Sequence, residues 1–304
     1  MIRRTYLGLD IGRVELRAAA LRRQGRGVLF DGGRSLPMVE GVVVPDLRDN
    51  NIRDPRRFRE YVREVLHPLA GTEERIALSL PTGSGRVMVR EFETPFRSHQ
   101  EGVDIIKWQL KKSLPVEARE IQLDYQILGR GDSGRTRVLI SMIGHTVLRQ
   151  YEDELAEAGY GAEQVDFQPL NLYMFHRSRL ETGSDFLLVG VDQDNLLFLY
   201  CQDRSLVYHR ACEISRDAQA VFQEISRTLA GSPDNLAGVH RAPVFLHCDW
   251  PDASEVHAAV ASACERDVVL LDPNARRLTQ QSFDFPDWRV RTLAVATGAA
   301  ERLM

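Results

Sequence analysis

Leu7, Leu9 and Ile11 alternate with smaller or polar neighbours, and beyond Gly12 the run Val14, Leu16, Ala18, Ala20 alternates with Glu15 and Arg17. A period of two on both sides of a glycine predicts a strand-turn-strand hairpin at the start of the chain. Asp54 followed by Pro55 supplies a cap and a first-turn proline. Phe58, Tyr61, Val62, Val65, Leu66 and Leu69 then recur at helical spacing, so an amphipathic helix is expected there. Arg75 to Leu80 and Arg86 to Phe92 read as strands, joined by the turn-forming run Pro81-Thr82-Gly83-Ser84-Gly85.

The middle of the chain predicts a smaller α+β module. A helix from about Gln100 to Ser113 stops before Pro115, strands follow at Ile121 to Ile127 and Arg137 to Ile143, and Thr146 to Ala158 is helical by its Leu148, Tyr151, Leu155 spacing. From Asp185 the pattern begins again. Strands near Phe186 to Val191, Leu196 to Cys201 and Leu206 to Arg210 lead into a helix from Ser215 to Ala230. After a loop rich in Gly, Pro and Asn come a strand (Val244 to Cys248), a helix (Ala253 to Cys264), a strand (Val268 to Leu271) and a last helix (Arg289 to Leu303). Two lobes that each open on a meander and continue into helices are the expected architecture, and 304 residues suffice for two cores.

Composition narrows the function more than the fold. The hydrophobic fraction of 43% and charged fraction of 27% are those of a globular protein, and a formal charge of -4 argues against nucleic acid as a partner. No apolar run reaches membrane-spanning length, since Asp192 and Asp194 interrupt the best candidate, Phe186 to Tyr200. Asp10 and Glu15 likewise interrupt any signal-peptide core, so secretion is not expected. Cys201, Cys212, Cys248 and Cys264 form no C-x-x-C pair, which points to buried, reduced thiols rather than zinc. Lys107, Lys111 and Lys112 are the only lysines among 39 basic residues.

Several local motifs dissolve in context. Gly129, Gly131 and Gly134 spell G-x-G-x-x-G, yet a strand follows where a dinucleotide loop would open a helix, so a hairpin turn is expected. The tripeptide Arg130-Gly131-Asp132 has no adhesion role in a chain not expected to be secreted. Pro81 to Arg86 lacks the Lys-Ser/Thr pair of a P-loop. His145, His209 and His247 lie beside strands with no nucleophile and carboxylate to complete a catalytic set, and no triad is assigned.

The run Tyr6-Leu7-Gly8-Leu9-Asp10-Ile11-Gly12 with Leu16-Arg17 resembles the opening hairpin of the PilM family and of its cell-division relative FtsA. Ile106-Lys107-Trp108, Leu114-Pro115 and Leu123 to Leu128 are similar to the PilM inserted subdomain, and Tyr151 to Gly159 with Val165-Asp166 to the return into the first lobe. The cytoplasmic part of GspL of type II secretion looks alike.

The resemblance implies an α/β, actin-like (ribonuclease H-like) fold of two lobes and four subdomains: 1–80 plus 161–180, an inserted module 81–160, and a second lobe 185–304 with a small outer part 229–265. It also implies a cytoplasmic scaffold at the inner membrane. Its partner would be the cytoplasmic N-terminal peptide of a PilN-like single-span protein, with a pilus or secretion motor ATPase as a further partner. The peptide is expected between the strand Val87 to Phe92, with Val87, Val89, Arg90 and Phe92 as its wall, and the helix carrying Trp108.

Family members bind ATP between the lobes, where small residues in two facing turns let backbone N–H groups reach the phosphates. Here the first turn keeps Asp10 and Gly12 but places Arg13 and Val14 where the family has Ser or Thr. The second reads Gly190-Val191-Asp192-Gln193-Asp194, which sets two carboxylates against the polyphosphate. The adenosine loop reads His247 to Pro251, and only Thr297-Gly298-Ala299 keeps a family look. A carboxylate about 5 Å from a phosphate costs on the order of 3 kcal/mol at an effective dielectric near 20. The expectation is a degenerate pocket at Asp10, Gly12, Arg13, Gly190, Asp192, Asp194 and Gly298, with no cofactor and no metal, and Arg13 pairing with Asp192 or Asp194. The alternative is an ATP- and Mg-dependent phosphotransferase of the sugar-kinase type, which should keep both glycine-rich turns and a carboxylate base.

Overall fold

A computed structural model describes all residues except 1–3, 26, 94, 115–116, 132–133, 232–235 and 272–286. Pro115, expected to end a helix, and Asp132 of the tripeptide therefore lie outside the described residues.

The opening hairpin forms as β1 (Thr5–Ile11) and β2 (Glu15–Gln24), with Asp10 opposite Arg17 and Ile11 opposite Leu16. A third strand, β3 (Gly27–Pro37), extends it. The alternation gave no sign of β3, because Asp31, Gly32 and Gly33 break its apolar pattern. Helix α1 (Pro55–Ala70) starts where Asp54 accepts a hydrogen bond from the Arg57 amide, and it buries Phe58, Val62, Val65 and Leu66. Strand β4 (Arg75–Leu80) runs parallel to β1.

The inserted module follows. Strands β5 (Gly85–Phe92), β6 (Ile121–Arg130) and β7 (Thr136–Gly144) form an antiparallel sheet in the order β5-β7-β6, and α2 (His99–Leu110) packs on one face. Its core joins Phe92, Val138, Ile140 and Met142 to Val103, Ile106 and Leu110 of α2. Helix α3 (His145–Ala158) ends at Gly159, whose φ of 96° is a left-handed cap that glycine adopts without strain. Strand β8 (Gly161–Phe167) completes the first sheet in the order β3-β2-β1-β4-β8, and α4 (Gln168–Leu180) leads out of the lobe.

The second lobe repeats the plan. Strands β9 (Phe186–Asp192), β10 (Asn195–Gln202) and β11 (Ser205–Glu213) form the meander. Helix α5 (Ala218–Gly231), β12 (Val244–Cys248), α6 (Ser254–Cys264) and β13 (Val268–Leu270) follow. The sheet order β11-β10-β9-β12-β13 matches the first strand for strand: three antiparallel, then two parallel. The expected last helix is broken into α7 (Asp287–Thr292) and α8 (Ala294–Glu301).

Helices α4 and α8 cross where the lobes meet, and glycine sets how closely. A Cβ on Gly298 would lie 2.0 Å from the Asn171 carbonyl oxygen, and one on Gly8 would lie 1.9 Å from that of Ala296. Gly298 is thus a helix-crossing residue, which accounts for the small side chains around it. The tips of β1–β2 and β9–β10 consequently face each other across a narrow cleft.

Candidate functional site

The centre of that cleft is a buried guanidinium. Arg17, on β2, is 1% exposed. Its Nη1 donates to Asp192 Oδ1 at 2.6 Å, its Nη2 to Asp249 Oδ2 at 2.7 Å and its Nε to Glu15 Oε2 at 2.9 Å. Asp10 Oδ2 stands 3.8 Å from Nη1. Glu15 and Asp10 belong to the first lobe, Asp192 and Asp249 to the second, so one side chain ties the lobes together. Arginine suits the position because its planar fork engages several carboxylates at fixed angles.

The second-lobe half of the site is braced. Asp249, just past β12, accepts from the Gln193 amide at 2.9 Å, and the Trp250 indole donates to the Gln193 carbonyl at 2.8 Å. Gln193 takes a φ of 54° at the tip of the β9–β10 turn, and its side chain covers Gly12, where a Cβ would come within 2.5 Å of it. Opposite, Gln168 at the start of α4 donates to Asp10 Oδ1 at 2.9 Å and to the Ile11 carbonyl at 3.1 Å.

One cation among four carboxylates leaves the cluster acidic, and burial does the rest. Asp10 is pushed up to about 6 by burial, against the pull of Arg17. Asp249 is also pushed up to about 6, by burial and by Asp192 beside it. Burial opposes the charge on Arg17, but the four carboxylates outweigh it and hold its pKa well above the ordinary value. Next to the cluster, His176 Nε2 and His247 Nδ1 lie 3.0 Å apart, both rings buried. Burial drives His247 down to about 4 and His176 well below its usual value, so both are neutral near pH 7 and one donates to the other.

Of the expected pocket residues, Asp10 and Asp192 meet at the Arg17 guanidinium and Gly12 lies beside them under Gln193. Arg13 sits at the rim with a half-exposed side chain, bonded to Glu213 at 2.8 Å, and its distance to Asp194 Oδ2 is 3.7 Å. Arg13 thus pairs with Asp194, as expected, at the half-exposed rim, while the buried interlobe pairing belongs to Arg17. Gly190 packs on Leu172, where a Cβ would meet Cδ2 at 2.6 Å, and Gly298 is held in its helix crossing. Gly12, Gly190 and Gly298 are therefore all committed to internal contacts. The cavity bounded by Gln168, Gly190 and Asp192 has about 10 Å³ of free volume, room for one water. Across the cleft the Gln193 side chain touches Gly12, and the Arg17 guanidinium stands between the two turns.

Arg17 and Asp249 escaped the sequence reading. Glu15 and Arg17 alternate with apolar residues as the solvent face of a strand does. The available signal was register: a tight turn at Gly12 sets Asp10 opposite Arg17, an opposite-charge cross-strand pair.

The five expected peptide contacts do not line one groove. Phe92, 2% exposed, lies in the core under α2, while Val87 packs into the first-lobe core on the other side of its strand. Val89 is half-buried, and Arg90 is exposed and bonds to the Val89 carbonyl. Trp108 is 76% exposed on the face of α2 that points away from the sheet. The gap expected between α2 and β5 is closed by packing, because α2 has its own apolar stripe to bury. An open groove lies elsewhere, at the junction of the inserted module and the first-lobe core. About 580 Å³ in volume, it is lined by Arg48, Arg119, Glu120, His145, Thr146 and Arg149 among others. The N-terminus of α3 opens into it with no side-chain cap.

No family model and no curated protein matches the sequence. Solved structures do. The PilM-PilN type IV pilus biogenesis complex aligns with a TM-score of 0.75 at 15% identity, over 97% of this chain and 97% of that one. A Bacteroides thetaiotaomicron protein of actin-like ATPase fold and unknown function gives 0.56 at 12% identity, over 90% and 94%. The chain has an actin-like fold. The cytoplasmic domain of EpsL, an inner-membrane component of the Vibrio cholerae type II secretion system, aligns at 0.52 with 10% identity over 97% and 95%. Within this actin-like fold, the cleft that carries Arg17 is the one facing the two hairpin turns of paired sheets. Among the described residues no helix is long and apolar enough to cross a membrane.

Proposed function

We propose that this actin-like protein is a non-catalytic scaffold of a type IV pilus or related secretion platform, held at the cytoplasmic side of the inner membrane by a PilN-like partner. The observation that carries this reading is the contrast between two sites. The interlobe cleft is filled by Arg17 and its carboxylates, whereas the groove between inserted module and core is open. A scaffold needs the second and not the first. The likeness to PilM-PilN over the whole chain supports the same reading.

The partner's cytoplasmic N-terminal segment enters the groove as an extended peptide. The α3 N-terminus, which no side chain caps, faces its carbonyls or carboxylates, and Arg48, Arg119 and Arg149 favour acidic side chains.

Calorimetry with a synthetic peptide of that segment tests the reading. Arg48→Glu with Arg149→Glu should weaken binding at least tenfold, while Arg17→Met, remote from the groove, should not change the peptide contacts. Binding that is indifferent to the groove pair contradicts this assignment.

A further inference from the structure

The chain's three tryptophans are placed very differently. Trp250 donates to the Gln193 carbonyl at 2.8 Å, and Trp288 lies under the Arg289 guanidinium at 4.9 Å. The Trp108 indole has no hydrogen bond or ring contact among the described residues, and the residue is 76% exposed. A helix usually turns such a ring inward, but here Val103, Ile106 and Leu110 already fill the α2 interface with the sheet.

All three lysines of the chain adjoin this ring, although 39 residues are basic. Lys107 is tied back, donating to the Ile121 carbonyl at 2.6 Å. Lys111 and Lys112, one turn beyond Trp108, are exposed and make no ion pair among the described residues. Asp104, one turn before it, is also exposed and already accepts from Gln100 at 3.1 Å.

We propose that the outer face of α2 and the turn that follows it, Trp108 with Lys111 and Lys112, rests directly on an anionic phospholipid surface. Tryptophan is amphipathic and settles at the headgroup level of a bilayer. Lysine keeps its ammonium among phosphates while its methylene stem lies along the apolar boundary. Interfaces between proteins favour arginine and deplete lysine, so the reverse choice here, in an arginine-rich chain, fits lipid better than a protein partner. Each exposed lysine near such a surface strengthens partitioning about fivefold, and one ring adds a modest term. Stable attachment takes two signals, so the patch works alongside a second anchor. Alone it holds the molecule only at low salt, and at physiological salt it orients a molecule that the second anchor holds.

The test is cosedimentation of the full chain with phosphatidylglycerol-containing vesicles against pure phosphatidylcholine at low salt, with tryptophan quenching by brominated lipid as a second readout. The anionic vesicles should retain the protein, added salt should release it, and Lys111→Glu with Lys112→Glu should lower retention by at least tenfold. Trp108→Phe should remove the quenching while unfolding at the wild-type temperature. Equal retention on both vesicle types, or quenching that persists in Trp108→Phe, overturns the proposal. So does an absence of retention accompanied by Trp108→Ala weakening self-association or peptide binding, which would make the face a protein contact. Peptide calorimetry at the Arg48–Arg149 groove stays a separate measurement, so failure here leaves the scaffold reading standing.

Discussion

Arg17 of the first lobe donates to Asp192 of the second at 2.6 Å, with both side chains buried. Removing one partner of a buried charge pair leaves the other uncompensated, and the cost is about 3–5 kcal/mol. Arg17→Met should therefore lower unfolding stability by about that much. Adding Asp192→Asn and Asp249→Asn should recover most of it, since well-satisfied neutral groups can replace a buried ion network at little net loss. Urea unfolding of the single and triple variants measures both. A single variant within about 0.5 kcal/mol of wild type would mean that the guanidinium does not hold the lobes together.

The buried histidines predict a loss of stability in mild acid. His247 has an ordinary pKa of 6.5 and a folded value of about 4. A depressed value contributes stability that is complete above 6.5 and is lost as pH falls through that range toward 4, about 3 kcal/mol for a shift of this size. Asp10 and Asp249 run the other way. Their values rise from 3.8 to about 6, so their contribution is complete below 3.8 and vanishes as pH rises through 6. His176 and His209, lowered as well, add to the acid loss. Stability measured by urea should thus fall from pH 7 to pH 5, and His176→Leu with His247→Leu should flatten that slope. A slope unchanged in the double variant would exclude the pair as its source.

The alternating runs made the two meanders legible, because a half-buried strand leaves a period of two in any sequence. The turns around Gly12 and Asp192 were legible for the same reason, whereas the unusual Arg13 and Asp194 stood out only against the turns of the family that the sequence resembles. Arg17 was not, since a buried arginine in a strand reads like a solvated one until its partners arrive from residues 192 and 249. Nor was Phe92 legible as core, because alternation alone does not say which face of β5 meets α2. The groove at Arg48, Arg119 and Arg149 joins three distant segments, and no local pattern announces it.

If side chains rather than nucleotide close the interlobe cleft, the protein should not bind ATP. Calorimetry of the full chain with ATP and magnesium measures this. No binding heat and no rise in unfolding temperature are expected at saturating nucleotide, because Arg17, Gln193 and the facing turns leave about 10 Å³ beside Asp192. A micromolar or tighter dissociation constant would contradict it.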